Sequence, residues 1–268
     1  MKKGEEFLIW NGVVQPTREL AINPLSEGWL YGVGCFETMK WESGTLRFLP
    51  DHWSRLTKTT AEIGWKLPLT CSELKKFAGT LADKNGCRTG IARLSLHLDG
   101  TKVDWMLRIF PQARIPSPGL RVAPSRFSHP GASPISGWKH NNYLLNHLAY
   151  QEARNRGFDE AILCRDGEVV EGSRSNLWIW REEQLLTPPI SSGALPGVIR
   201  ARILKKALKA GIEAREVRLN QQMVADAEGI FLSNAGLVFQ SVTLFGKESY
   251  PVEERVLRGI RKVILSDG

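Results

Sequence analysis

The sequence predicts an α+β fold in two subdomains. Three observations carry that expectation. Strand-like and helix-like stretches are mixed along the chain, and hairpin signals occur in both halves. Residues 111 to 119, PQARIPSPG, hold three prolines in nine positions, which resists regular structure and reads as a crossover. The composition changes after that stretch. The expected boundaries are an N-terminal α+β subdomain over 1–113, a linker over 114–120 and a C-terminal subdomain over 121–268.

The elements are expected in the following order. Residues 5 to 15 form a hairpin turning at Asn11-Gly12, and residues 34 to 49 form two more strands turning at Glu42-Ser43-Gly44. From Pro50 to Gly64 the pattern is helical, with Asp51 as N-cap and Leu56, Thr60 and Ile63 on one face. Ser72 caps a second helix that runs to Lys84, with Leu74, Phe77, Ala78 and Leu81 at helical spacing. Ile91–Leu98 and Trp105–Phe110 are strands joined through Asp99-Gly100. Beyond the prolines, Leu120–Pro124 is strand-like and Ser125–Ser136 is loop. Asn141–Arg156 is an amphipathic helix with Leu144, Leu145, Leu148, Ala149 and Ala153 on its apolar face, stopped by Gly157. Glu160–Cys164 and Glu168–Glu171 pair through Asp166-Gly167, and Asn176–Trp180 follows. Val198–Ala210 is a helix ended by Gly211, Gly229–Ser233 a strand and Val252–Leu265 a last helix.

Composition excludes several classes. Hydrophobic residues are 42% and charged residues 24% of 268, ordinary globular usage that argues against disorder and fibres. No apolar run approaches the ~18 residues of a membrane span. Glu5 and Glu6 break any signal-peptide pattern at the N-terminus. Cys35, Cys71, Cys87 and Cys164 are too far apart for a metal or redox motif, and read as reduced thiols of a cytoplasmic protein; no metal is expected. The net charge of +8 invites a nucleic-acid reading, but the basic residues are scattered. The densest group, Arg200, Arg202, Lys205, Lys206 and Lys209, reads as the solvated face of a helix. A basic chain serves a phosphorylated cofactor or a multi-carboxylate substrate equally well.

Five segments carry chemical promise. Lys139 stands in GWKHNNYLLNH, after a loop and before a helix. Glu171 ends a hairpin strand in DGEVVEGSRSN. GALPGVIRARIL opens a helix at Gly197-Val198-Ile199, where backbone N–H groups and the helix dipole form an anion site. FLSNAG runs from a strand into small polar residues, and DHWSRL places Arg55 one turn into a helix.

Taken in order with WNG (10–12) and YGVGCFET (31–38), these segments resemble the fold-type-IV pyridoxal-phosphate enzymes. That family holds branched-chain and D-amino-acid aminotransferases and 4-amino-4-deoxychorismate lyases, and the resemblance covers nearly the whole chain. The 32 residues from Lys139 to Glu171 match the family's spacing between Schiff-base lysine and pyridine-nitrogen carboxylate. The resemblance therefore implies the D-amino-acid-aminotransferase-like fold, with pyridoxal 5'-phosphate (PLP) between the subdomains. Lys139 would be the catalytic amine. Glu171 would keep the ring nitrogen protonated and the electron sink deep. Arg55 and the backbone of Val198 and Ile199 would hold the phosphate, Ile199 standing where many relatives have Thr or Ser. Asn234 falls in the second phosphate turn, Ser175 and Asn176 belong to the EGSRSN segment on the cofactor, and Tyr143 lies near the ring hydroxyl, one residue out of register. Tyr31 and Arg93 would meet substrate, and Trp29 and Trp138 flank the pocket motifs. His140 is read as a bystander, because adjacent side chains on extended backbone point apart.

The resemblance also bears on the reaction. KHNNYL, SNAG and Cys35-Phe36 lean toward 4-amino-4-deoxychorismate lyase, which releases pyruvate and 4-aminobenzoate. Leu98 stands where D-amino-acid aminotransferases carry the arginine of their carboxylate trap. The alternative is a class IV aminotransferase, branched-chain or D-amino-acid, passing the amino group to a 2-oxo acid. Glu27-Gly28-Trp29 and Val33 depart from the family's loop pattern; they bear on the pocket entrance and leave Lys139 and Glu171 untouched. The implied partners are a small amino substrate and a second copy of the chain as a homodimer, with no nucleic acid and no membrane.

Overall fold

The computed structural model describes residues 6–266; Met1–Glu5 and Asp267–Gly268 lie outside them, and with them Glu5, where the first hairpin is expected to begin. The chain divides into two compact units. One holds residues up to Ala113 together with Trp138–Asn142, and the other holds Arg114–Gly137 and Tyr143 onward.

The first unit is a six-stranded antiparallel sheet with helices packed against it. Its elements are β1 (Phe7–Trp10), β2 (Val13–Pro16), α1 (Glu27–Leu30), β3 (Gly34–Glu42), β4 (Thr45–Leu46), α2 (Leu49–Ile63), α3 (Cys71–Lys84), β5 (Thr89–Asp99) and β6 (Lys102–Phe110). The sheet order is β2-β1-β6-β5-β3-β4. The expected hairpins are present, turning at Asn11-Gly12 and Ser43-Gly44 with positive φ at both central residues. Helix α2 buries Leu49, His52, Leu56, Thr59 and Thr60, a stripe at helical spacing. Its cap differs from expectation: Phe48, in the left-handed region at φ 55°, precedes the helix, and Asp51 lies in the first turn. Pro50 explains the early start, because its missing N–H is one the first turn leaves unpaired in any case. The cap of α3 also moves, from Ser72 to Thr70, whose hydroxyl and Glu73 close a reciprocal capping box.

The second unit is built on a ten-stranded mixed sheet. It contains β7 (Leu120–Ser128), α4 (Leu144–Asn155), β8 (Glu160–Arg165), β9 (Glu168–Gly172), β10 (Asn176–Arg181) and β11 (Gln184–Thr187). There follow α5 (Val198–Lys206), β12 (Glu213–Glu216), β13 (Leu219–Asn220), α6 (Gln221–Ala225), β14 (Gly229–Ser233), β15 (Gln240–Phe245), β16 (Glu248–Ser249) and α7 (Glu254–Leu265). Strand order is β12-β11-β10-β14-β15-β7-β8-β9-β13, with β16 beside β15. Pairs β11·β12, β15·β7 and β7·β8 are parallel and the rest antiparallel. The core is aliphatic and aromatic, with Ile162, Leu177, Ile179, Ile230, Leu232 and Val242 fully enclosed.

Four expectations for this half are corrected. Residues 125–128 continue a strand rather than a loop, because β7 bulges between Pro124 and Ser128 and so accommodates a proline that donates no ladder bond. Helix α4 begins at Leu144, not Asn141, because Asn141 is spent on pairing with Gly34. Its expected apolar face is divided: Ala149 and Ala153 are buried, whereas Leu144 and Leu148 are exposed. The basic group on α5 is not wholly solvated, since Arg200 and Lys206 are buried and Arg200 donates to Pro188 O at 2.7 Å and to Glu216. No described helix is long and apolar enough to cross a membrane.

Candidate active site

The lysine singled out by sequence is held by the sheet of the first unit. Phe36 N donates to Lys139 O at 2.8 Å and Asn141 N donates to Gly34 O at 2.9 Å. Residues 139–141 thus run antiparallel to β3 like a short extra strand, with a bridge between Cys35 and His140. The Asn141 side chain adds a bond from Nδ2 to Leu96 O on β5 at 3.1 Å. This pins a segment which sequence reading places at the junction of a loop and a helix, and removes most of the backbone freedom on either side of Lys139.

Two cations share one aromatic ring. Lys139 Nζ lies 4.5 Å and Arg93 Cζ 3.7 Å from the centroid of buried Phe36. Arg93 is oriented further by a bond from Nε to Ser95 Oγ at 3.2 Å. The register of β3 and β5 sets this up, with Phe36 opposite Ser95 and Arg93 opposite Thr38.

Arg55 lies on the adjacent helix α2, in an ionic cluster. Its Nε and Nη2 each donate at 2.7 Å to the two oxygens of Glu37, a bidentate pair. His52 Nδ1 lies 2.7 Å from Glu37 Oε2. Burial by itself would raise the Glu37 pKa, but the Arg55 charge and the bonds from His52 and Arg55 outweigh it and hold the carboxyl at about 2. Sequence reading missed Glu37 and His52, although both lie inside motifs it quoted, Phe-Glu-Thr and DHWSRL. Nearby Cys35 is a poor nucleophile: burial, with help from the Glu37 charge, pushes its thiol up to about 12.

In the second unit, Glu171 on β9 is buried. Its Oε2 accepts from Leu195 N at 2.9 Å and from Asn176 Nδ2 at 3.5 Å. Asn176 also donates from Nδ2 to Leu195 O at 2.9 Å. A Cβ on Gly197 would run into Asn176 Oδ1, so the loop can approach this closely only with glycine there. Gly197 is the N-cap of α5, and Val198 and Ile199 are its first residues, whose N–H groups have no partner within the helix. The carboxylate and the helix N-terminus thus form one constellation, clamped by Asn176.

The remaining second-unit candidates act locally. Ser175 Oγ donates to Glu160 at 3.3 Å, and Ser173 Oγ donates to the same carboxylate. Burial raises the Glu160 pKa against the opposing pull of Arg174 and those bonds. Tyr143 precedes α4 and donates from its hydroxyl to Ser173 O at 3.0 Å. Asn234 Oδ1 accepts from Gly236 N and Leu237 N at 2.9 and 2.8 Å, which closes the turn after β14. Among the first-unit candidates, Tyr31 and Trp29 are exposed, and Trp138 donates from its indole to Glu62 at 2.5 Å. Burial and then the Lys139 charge lower the His140 pKa.

The strapped lysine of the first unit, and in the second a buried carboxylate beside a helix N-terminus, are groups of the types that PLP enzymes use. The chain belongs to the class IV amino-transferases, whose family model matches residues 34–245. It is 26% identical over 281 residues to the D-alanine aminotransferase of Bacillus licheniformis, covering 97% of this chain and 98% of that one. Its fold matches the branched-chain aminotransferase of Thermoproteus uzoniensis, solved with norvaline, at TM-score 0.87 and 24% identity, covering 98% of this chain and 95% of that one. It also matches a candidate 4-amino-4-deoxychorismate lyase of Legionella pneumophila at TM-score 0.85 and 21% identity, covering 94% and 97%.

Class IV amino-transferases use pyridoxal 5'-phosphate. The donor set present here fits that cofactor: a primary amine, a buried carboxylate for a protonated ring nitrogen, and an arginine and a helix N-terminus for a phosphate.

Proposed function

We propose that the chain is a PLP-dependent lyase acting on a carboxylate-bearing amino substrate of the 4-amino-4-deoxychorismate type. The observation that carries the substrate class is the pair of cations on Phe36. It puts a carboxylate-binding group, Arg93, close to the amine that does proton chemistry, Lys139. In this reading Lys139 and Arg55 are the cofactor groups of the first unit, and Glu171, Asn176, Tyr143, Asn234 and the Val198–Ile199 backbone are those of the second. Ser175 supports the turn through Glu160. When bound, the cofactor supplies the electron sink. Lys139 Nζ would remove the proton from the amine-bearing ring carbon, the bond from the neighbouring carbon to the enolpyruvyl oxygen would break so that the pyruvate enolate leaves and takes up a proton, and the ring would become aromatic. Glu171, held by Leu195 and Asn176, carries the charge that keeps the sink deep. The Lys-His-x-Asn run at 139–142 favours the lyase, and Leu98 speaks against the D-amino-acid branch.

The likeness to the D-alanine aminotransferase over nearly both full chains favours a second reading, transamination to a 2-oxo acid. One assay separates them. Purified holoenzyme should release pyruvate from 4-amino-4-deoxychorismate with no keto acid added. Bleaching of the yellow protein by an amino acid, reversed by 2-oxoglutarate, would replace the lyase with the aminotransferase.

The reading includes a cytoplasmic homodimer. Leu25, Trp29, Leu30 and Tyr31 are 76%, 63%, 51% and 68% exposed on and beside α1, a cluster of a kind that marks interfaces. In a dimer this cluster would be covered, and Tyr31 would reach substrate. Trp29→Glu should convert a dimer to a monomer in light scattering; an unchanged mass would remove α1 from the interface.

A further inference from the structure

Beside Glu171 lies a second buried ionisable group that the reading above does not use. His129 is 6% exposed and sits just past the end of β7. Its backbone N donates to Cys164 O at 2.8 Å. Its Nδ1 accepts from Gly131 N at 3.0 Å. Gly193, at φ 101°, walls the ring on another side: a Cβ there would lie 2.8 Å from His129 Cε1 and 2.5 Å from Gly131 C. The ring therefore cannot swing away without breaking a bond or displacing backbone.

With Nδ1 accepting, a neutral ring carries its proton on Nε2. Nε2 lies 3.6 Å from Glu171 Oε1. That exceeds a hydrogen bond, but in a buried setting an N–H dipole at this range still acts strongly on a carboxylate charge. The two oxygens of Glu171 thus have different keepers. Oε2 is held by Leu195 and Asn176, whereas Oε1 faces the imidazole.

We propose that His129 is a positioning residue for Glu171, its Nε2–H holding Oε1 so that the carboxylate keeps the orientation a protonated ring nitrogen requires. This rests on the reading of Glu171 as the partner of that nitrogen. It makes His129 the group that tunes how firmly the proton stays on the ring, although His129 itself touches no reacting atom.

Two conservative variants separate this role from a merely structural one. In His129→Asn the amide oxygen falls near the Nδ1 position and can still accept from Gly131, but the donor toward Glu171 is gone. In His129→Gln the amide nitrogen falls near Nε2 and the donor is restored. The full-length chain, stripped of cofactor, is titrated with PLP and with its 1-deaza analogue, in which the ring nitrogen is replaced by carbon. His129→Asn should weaken PLP about 10-fold, as for loss of one buried dipole–charge contact. It should leave the analogue within about 2-fold, and it should shift the visible absorption maximum of bound PLP. His129→Gln should recover most of the loss. Equal weakening of both ligands, an unchanged PLP affinity, or rescue by Asn rather than Gln would overturn the proposal. Glu171→Gln is the control. If it too fails to distinguish PLP from the analogue, the reading of Glu171 falls and the proposal with it. If Glu171→Gln distinguishes them and His129→Asn does not, the proposal falls alone.

Discussion

Lys139→Ala is expected to lower turnover by at least about 10⁴-fold, because in the proposed function one side chain supplies both the covalent anchor and the proton carrier. The segment is strapped to β3 by the Phe36–Lys139 and Asn141–Gly34 backbone bonds, which do not involve the side chain. The variant should therefore fold and keep wild-type thermal stability to within about 1 kcal/mol. Borohydride treatment of the wild-type holoenzyme should fix cofactor mass on the peptide containing Lys139, and on no peptide of the variant. A variant that still traps cofactor covalently, or turns over within tenfold of wild type, would remove Lys139 from the chemistry. Lys139→Arg separates charge from nucleophilicity: it keeps a cation over Phe36 and should be as inactive as the alanine variant.

The second large effect concerns stability. Glu37→Gln should cost about 3–5 kcal/mol, the range for breaking a buried ion pair from one side. Glu37 is 2% exposed and takes both arms of Arg55 together with His52. An amide has one accepting oxygen where the carboxylate has two, and it brings no charge to the Arg55 guanidinium. The pH dependence has a definite sign. The folded-state pKa, about 2, lies below the ordinary value of 4.5. The carboxylate therefore stabilises the fold fully above the ordinary value and progressively less as pH falls from there toward 2. Urea unfolding of wild type and variant at neutral pH and at successively lower pH should show the gap closing through that window. A gap that is absent at neutral pH, or constant through the acid range, would count against Glu37 as a charged anchor.

The two sites differ in how legible they were. Lys139, Glu171, Arg55 and the Val198–Ile199 helix start could be named because the segments that carry them resemble, in order and spacing, those of a known family. Glu37 and His52 could not be given a role, because a carboxylate and an imidazole fifteen residues apart meet only when α2 packs on β3. His129 carried no signal at all: it stands in SHPGASP, a loop-like run, and its relation to Glu171 exists only through the turn at Gly131 and the approach of Gly193. Missed elements have local causes. The β10–β11 hairpin turns on Glu182-Glu183, two non-glycine residues at positive φ, which give no turn signature. Strand β15 follows Asn234-Ala235-Gly236 so closely that the turn masks it.

The sequence by itself determined the strand and helix types wherever periodicity was strong, the α+β class, and, through resemblance, the chemical identity of the groups proposed to serve the cofactor. These depend on side-chain type and on short-range spacing, which the chain carries wherever it goes. The tertiary structure decided which residue caps each helix, that Leu144 and Leu148 face outward, and that Arg200 is buried. It also decided that the residues around Lys139 join the antiparallel sheet of the first unit. Each of these turns on a partner distant in sequence. The free energy of a buried charge or a strapped backbone is set by what surrounds it, and local pattern does not contain that information.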